Sequence, residues 1–557
     1  MNFNVKGIAK KLVNTATILG LAVSCVNINT ELGKEFIPTR HQYDVYTVEF
    51  NLKDLKFAQT DSLSGYSSQR ITIGAVKDPV YGLTTRSSAF TLIPVTKNLD
   101  FGKNTKFRQF HFSAVGDTTS IPEDNQKKIL QNINVFTLSE EIGENDVYTS
   151  SGDKLKIGER VSNGIPIYSG GDSLSFDFTD EFGKKYIETL KEMELDSVSN
   201  YVKKLPGIYL SVDEPISYGG RINMFELPVK VSDYYITGNY AELKFTADYG
   251  DRHQVDTSFL FFFGAQDMTV YQPTTSIYAK PTLTPQFALN VTSSEMKEGK
   301  AKDKIFIEGG GGVKPVVSSK EIKDSCIAIF NSLGLDPKAV IVNKASIILP
   351  FEYEDYKKLA LFPARLSPTC RIRSTDEKTS QKIVSFAGLT DASVQTENQG
   401  DIDRSNLRYA PDVSHHVQEI LRRGKDENYE NFDIWFLIMS KEVIQTSNDN
   451  QMSDYYNNLN YYNYYNSLYD PYYGGGYGYG YGYGGYDSYY GYNNYYNYMM
   501  AAQYASTQST QTTSNIQLDK DRYYSATLKG PEPNDPEDKR VPKVKLTFSI
   551  SKTAARK

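Results

Sequence analysis

The chain has 557 residues, more than one hydrophobic core normally organises, so about two to four structural units are expected. Hydrophobic residues make up 39% and charged residues 23%, and the mean hydropathy is −0.47, the profile of a globular chain with a polar bias rather than a disordered one. The formal charge is −6, or −9 without the three lysines of the first 24 residues; with no basic field to replace phosphate counterions, nucleic acid is not an expected partner.

The first 25 residues have the grammar of a secretory signal. Lys6, Lys10 and Lys11 form a basic segment, and Leu12 to Ser24 form an apolar one that closes on Leu21-Ala22-Val23-Ser24-Cys25. This order resembles a bacterial lipoprotein signal, in which the cysteine becomes the first mature residue and carries the acyl chains. The family pattern prefers a large aliphatic residue three before the cysteine, where this chain has Ala22, with Leu21 one earlier. A simple cleaved secretory signal is the alternative. On the lipoprotein reading, residues 1–24 are the signal peptide, Cys25 is the lipidation site and residues 25–40 are a tether. The resemblance implies an outer-membrane protein held by lipid, with no spanning helix. Surface-exported lipoproteins often carry an acidic cluster after the lipid cysteine, whereas here Glu31 and Glu35 are scattered, so the surface and periplasmic faces both stay open.

From His41 the chain reads as short strands. Asp44–Leu52, Lys106–Phe112, Ser173–Thr179, Gly207–Val212, Arg221–Leu227 and Ala241–Thr246 alternate apolar with polar residues, which buries one face of a sheet. The pieces between them are rich in Gly, Asp, Asn and Ser, which supply turns. Phe182, Tyr186 and Leu190, four apart, predict one helix near Asp180 to Glu194. Residues 41–292 are therefore expected to form an N-terminal β-sandwich.

A charged linker, 293–303, leads to a second β-rich domain over 304–552. Lys304–Glu308 runs into four glycines, Gly309 to Gly312, and then Val313–Val317. A helix follows, with a capping box of Ser318 and Glu321, an apolar stripe of Ile322, Cys326, Ile329, Phe330 and Leu333, and a stop at Gly334. Strands resume at Ala339–Leu349, Lys382–Phe386 and Phe432–Met439, with a short helix over Val413–Arg423. Two closing strands, Arg522–Leu528 and Lys543–Ser549, end the pattern. Between them, residues 446–515 form a low-complexity insertion of Tyr, Asn, Gly and Ser, expected to be disordered, that holds 21 of the chain's 43 tyrosines. The fold class expected is mainly β: two jelly-roll-like β-sandwich domains with a few short helices.

Few motifs carry chemistry. Besides Cys25 there are only Cys326 and Cys370, which either form a disulfide in an oxidising compartment or stay as two buried thiols. No metal-ligand spacing occurs among them and the five histidines, so no metal and no cofactor is expected. The glycine run lacks the Lys-Ser/Thr and following helix of a phosphate loop, since Lys314 precedes Pro315; a turn or bulge role is expected. His415 and His416 read as helix-surface residues, with His416 at the margin of the buried stripe. Asp401, Asp403 and the Pro531–Glu537 loop offer carboxylates with no fixed separation. Trp435 reads as core. The tyrosine tract offers exposed rings with hydroxyls, suited to stacking on sugars or docking on protein, and Tyr461, Tyr462, Tyr464, Tyr465, Tyr477, Tyr479, Tyr481 and Tyr483 are its candidate ligand contacts. A tolerated loop with some tendency to self-associate is the alternative.

The runs Gln69–Gly82, Leu205–Leu210, Lys304–Val313 and Val342–Pro350 together resemble a family of outer-membrane lipoproteins of Bacteroidota known only as a domain of unknown function. That resemblance implies β-sandwich domains and brings no catalytic residues. A non-enzymatic, membrane-anchored protein acting in binding or assembly is expected, its partner an envelope protein or a glycan. A glycan-binding component of a polysaccharide-handling system is the alternative, and a hydrolase is the third reading.

Overall fold

A computed structural model describes residues 38–553 apart from 118–128, 143–148, 265–287, 354–360, 376–381, 391–396, 447–510 and several shorter loops. The architecture is mainly β, as the alternation predicted, and every strand ladder among the described residues is antiparallel. Sheets pack in sandwich fashion around two large hydrophobic cores, one drawn from residues between Ile71 and Ala288 and the other from Leu52, Leu55 and residues 301–550.

Those cores correct the expected domain boundary. Strand Tyr43–Asn51 pairs along its whole length with Lys543–Ser551, and Leu55–Gln59 pairs with Val313–Val317. The first two strands therefore belong to the second core. The middle of the chain is an inserted unit, and both ends build a terminal unit around it. Alternation alone fixes which face of a strand is buried, not which sheet receives it, so the sequence placed these strands with their neighbours.

In the inserted unit, a nine-stranded sheet that includes Arg70–Asp78, Gly82–Phe90 and Ala288–Ser294 faces a five-stranded one. The five-stranded sheet runs in the order Ser173–Asp177, Lys103–Val115, Tyr240–Tyr249, Arg252–Phe263 and Leu92–Pro94. Its inner face is aromatic: Phe112 stacks on Phe263 at 4.5 Å and on Phe176 at 4.7 Å between ring centroids. Helix α1 (Asp180–Lys191) starts where Thr179 Oγ1 accepts the Phe182 amide hydrogen at 3.2 Å, and it buries Phe182, Tyr186, Ile187 and Leu190. Gly183 allows that close approach, because a Cβ there would overlap the Phe107 ring. A second helix, α2 (Val198–Lys204), was not signalled by an apolar period.

In the terminal unit, helix α3 (Ser319–Ser332) lays Ile322, Cys326 and Phe330 into the core and stops at Gly334, whose φ is +68°. Ser318 caps it as expected, but the other half of the capping box is diverted. The Glu321 carboxylate accepts the amides of Lys53 and Asp54, at 2.6 and 3.0 Å, and so holds the turn between the first two strands. Leu333, assigned to the buried stripe, is 44% exposed, because it lies on the last turn beyond the core. Helix α4 (Ser414–Arg422) packs on Val340–Pro350.

Trp435, the chain's one tryptophan, is buried in strand Ile434–Thr446 of the terminal unit. A chain starting at Asp61 lacks both N-terminal strands. Its Trp435 fluorescence should report unfolding at a clearly lower denaturant concentration than in the full chain, whereas a domain boundary at residue 292 would leave that midpoint unchanged.

Candidate functional site

Cys25 and the tyrosines Tyr461, Tyr462, Tyr464, Tyr465, Tyr477, Tyr479, Tyr481 and Tyr483 lie outside the described residues. The backbone that carries the tract is described. Strand Ile434–Thr446 pairs with Gln511–Leu518, ending at Thr446 opposite Gln511, so residues 447–510 leave and re-enter at adjacent positions of one hairpin. Residues 511–515, expected within the insertion, are part of that ladder. The hairpin extends past its other neighbour, Arg365–Thr375, whose pairing with Ile434–Thr446 stops at Arg365 opposite Met439.

Cys326 and Cys370 are not paired; both are free, buried thiols. Cys326 points from α3 into the apolar core, and burial pushes its thiol up to about 12. Cys370 directs Sγ toward the Phe432 carbonyl at 3.5 Å, and burial raises it as well. Both sit as small apolar groups with no thiolate to react.

His416 is a second correction. It is 3% exposed rather than at the surface, with Nε2 at 2.9 Å from Ser319 Oγ and 3.0 Å from the Phe432 carbonyl. Burial drives its pKa down to about 4, so it is neutral at physiological pH. Ser319 donates its own hydroxyl proton to Phe432 O at 2.5 Å. The pair therefore works as a knot tying α3, α4 and the 429–432 turn together, not as a nucleophile and its base. His415 points outward and meets Glu397. Asp401 is held by Arg365 through two bonds of 2.8 and 3.1 Å, and Asp403 by Asn406 and Arg408.

The densest polar cluster lies where the two units meet, around the glycine run. Lys314, 2% exposed, donates from Nζ to the carbonyls of Glu308, Gly310 and Gly312, the last two at 3.0 Å. The turn expected of Gly309–Gly312 is thus a carbonyl cage around a buried ammonium. Gly310 has φ +58°, and a Cβ on it would run into the Arg86 guanidinium, so the cage closes only over glycine. Glu308, fully buried, accepts from Thr84 and, at 2.6 Å, from Ser294, both of the inserted unit. Arg86 donates to Thr292, while its Nε and Nη2 have no hydrogen-bond partner among the described residues.

Nearby, Asp521 accepts from Ser67 at 2.6 Å and from Asn290 at 2.9 Å, and Lys520 donates to the carbonyls of Ser64 and Tyr66. Tyr81 crosses between the units too, donating to Ala526 O at 2.5 Å and meeting Phe306 edge-on. A cavity of about 10 Å³ remains among Ser64, Ser150, Asn290, Thr292, Lys520 and Asp521, room for about one water. Nothing in the sequence marked this cluster, because its members come from six separated segments with no periodicity in common. Among the described residues no group of three or more His, Cys, Asp or Glu could hold a metal ion, and no helix is long and apolar enough to cross a membrane.

No protein-family model, curated protein or solved structure matches the chain.

The cluster makes stability depend on pH. Burial holds Lys314 and Lys520 below the usual lysine value of 10.5, Lys520 at about 8. Between the folded and unfolded values the folded state binds fewer protons than the unfolded chain, so the free energy of unfolding rises with pH. The buried Cys326 and Cys370 thiols pull the other way over the same range, so the check is a difference: between pH 8 and 10, denaturant unfolding should show the native chain gaining stability relative to Lys520→Met.

Proposed function

We propose that this chain is a lipid-anchored, non-enzymatic protein of the bacterial envelope that binds or assembles partners through elements carried on its β-sheets. The observation that carries the reading is the hairpin Ile434–Thr446 and Gln511–Leu518, which runs past its neighbouring strand and bears the whole tyrosine-rich segment at its end. Tyrosine rings spaced by glycine and asparagine suit a contact surface, since each ring offers apolar area and a hydroxyl with few torsions to fix. Behind them stand two units joined by buried charges, an arrangement suited to a rigid stand. The signal-like segment ending at Cys25 supports the anchor, and the resemblance to outer-membrane lipoproteins of Bacteroidota supports the compartment.

Protease accessibility of the tyrosine tract on intact cells tests the reading, with Cys25→Ala as the control. The native chain should stay with the membrane fraction and Cys25→Ala should leave it. Cleavage on intact cells means capture outside the cell; protection until the outer membrane is opened means assembly on the periplasmic side. Deleting Tyr455–Tyr498 should abolish saturable association with the envelope partner and leave the thermal midpoint unchanged. A native chain that leaves the membrane as readily as Cys25→Ala would overturn the anchor.

A further inference from the structure

The polar junction between the two units holds more hydrogen-bond donors than acceptors. Lys314 Nζ draws the carbonyls of Glu308, Gly310 and Gly312 toward itself, the Thr60 amide donates to Gly311 O at 3.0 Å, and Gly309 O accepts from Gly312. Every carbonyl of the glycine run is therefore engaged. Its amides are not: Gly309 and Gly312 donate to Tyr524 O and Gly309 O, whereas the N–H groups of Gly310 and Gly311, both buried, have no acceptor among the described residues. Consecutive free amides at a glycine with φ +58° are the donors from which backbone anion nests are built. The Arg86 guanidinium lies directly over Gly310, and its Nε and Nη2 are unpartnered among the described residues too.

These donors gather at one cavity. Its wall of about 10 Å³ includes Gly310, Gly311, Thr292, Asn290, Lys520 and Asp521. Arg86 backs that wall, donating from Nη1 to Thr292 while it covers Gly310. Lys520 gives two of its three ammonium protons to the carbonyls of Ser64 and Tyr66, which leaves one. The side-chain acceptors on the wall are taken: Asp521 accepts from Ser67 and Asn290, and Asn290 Oδ1 accepts from Ser88 and from the Thr72 amide. Charge points the same way. The junction holds three cations, Arg86, Lys314 and Lys520, against two carboxylates, Glu308 and Asp521, while neighbouring Asp519 is paired with Arg522 at 2.9 Å. One positive charge is left over.

We propose that this junction binds a single halide ion, chloride, held by Arg86, the Gly310 and Gly311 amides and Lys520. A water in the same place must find acceptors for two hydrogens of its own, and the Asp521 and Asn290 oxygens are already engaged; an anion only accepts and cancels the leftover charge. A cavity with room for about one water excludes phosphate, sulfate and organic acids. Because Arg86 and Thr292 belong to the inserted unit and Gly310, Gly311 and Lys520 to the terminal one, the ion bridges the two. The site is independent of the anchored-binder reading, which fails instead on membrane release and tract deletion.

The test is the thermal midpoint of the full mature chain at constant ionic strength, with sodium chloride exchanged against sodium gluconate, whose anion is too large for the cavity. The midpoint should rise saturably with chloride, and with bromide, as a ligand of the folded state requires. Lys520→Met, and Arg86→Lys, which keeps the charge but removes the forked donors, should each weaken the chloride response at least tenfold. The native chain supplies a readout free of folding effects: its crystals soaked in bromide should show an anomalous peak between Arg86 and Gly310–Gly311. A midpoint that ignores which anion supplies the ionic strength, a chloride response unchanged in both variants, or a bromide-soaked crystal with only a water at the junction would overturn the inference.

Discussion

Nine antiparallel residue pairs between Tyr43–Asn51 and Lys543–Ser551 close this chain on itself, and the rest of the architecture depends on that closure. Once the first strand is committed to the last, everything between Thr60 and Ala301 leaves from and returns to the same unit. The inserted unit therefore meets its neighbour through two chain crossings rather than one. Glu321 reinforces the arrangement from inside, since its carboxylate holds the turn that follows the first strand while its helix packs in the core.

The crossing region is polar where a domain core would be apolar. Lys314, Glu308 and Arg86 are all buried there, which is costly unless each charge is solvated by protein dipoles. The carbonyls of Glu308, Gly310 and Gly312 do this for Lys314, and hydroxyls of the opposite unit do it for Glu308. The terminal unit alone would leave the Glu308 and Asp521 carboxylates without the hydroxyl and amide donors that the inserted unit supplies. Removing one partner of such a buried set typically costs about 3–5 kcal/mol, so the cluster fixes the relative position of the units more than it adds net stability.

Local structure was legible in the sequence wherever a single segment carried the signal. Phe182, Tyr186 and Leu190 marked α1, Ser318 and Gly334 bracketed α3, and Trp435 read correctly as core. What failed was long-range: the first two strands were placed with the wrong core, because period-two alternation gives a buried face without a partner. His416 was misplaced because its burial comes from Ser319 and Phe432, on other elements, and not from its own helix stripe. Glu321 kept its place in the capping motif but found better donors in Lys53 and Asp54. The junction cluster was invisible for the same reason, since register across strands, not spacing along the chain, puts Arg86 beside Thr292.

The central claim is that closure of the termini and the buried charges make the two units one cooperative body. Scanning calorimetry of the mature chain tests it most directly. The account predicts one endotherm whose van't Hoff and calorimetric enthalpies agree, with a lower midpoint in Gly310→Ala, where the added Cβ is forced against Arg86. Two separable transitions in the native chain, with Gly310→Ala shifting neither, would contradict it.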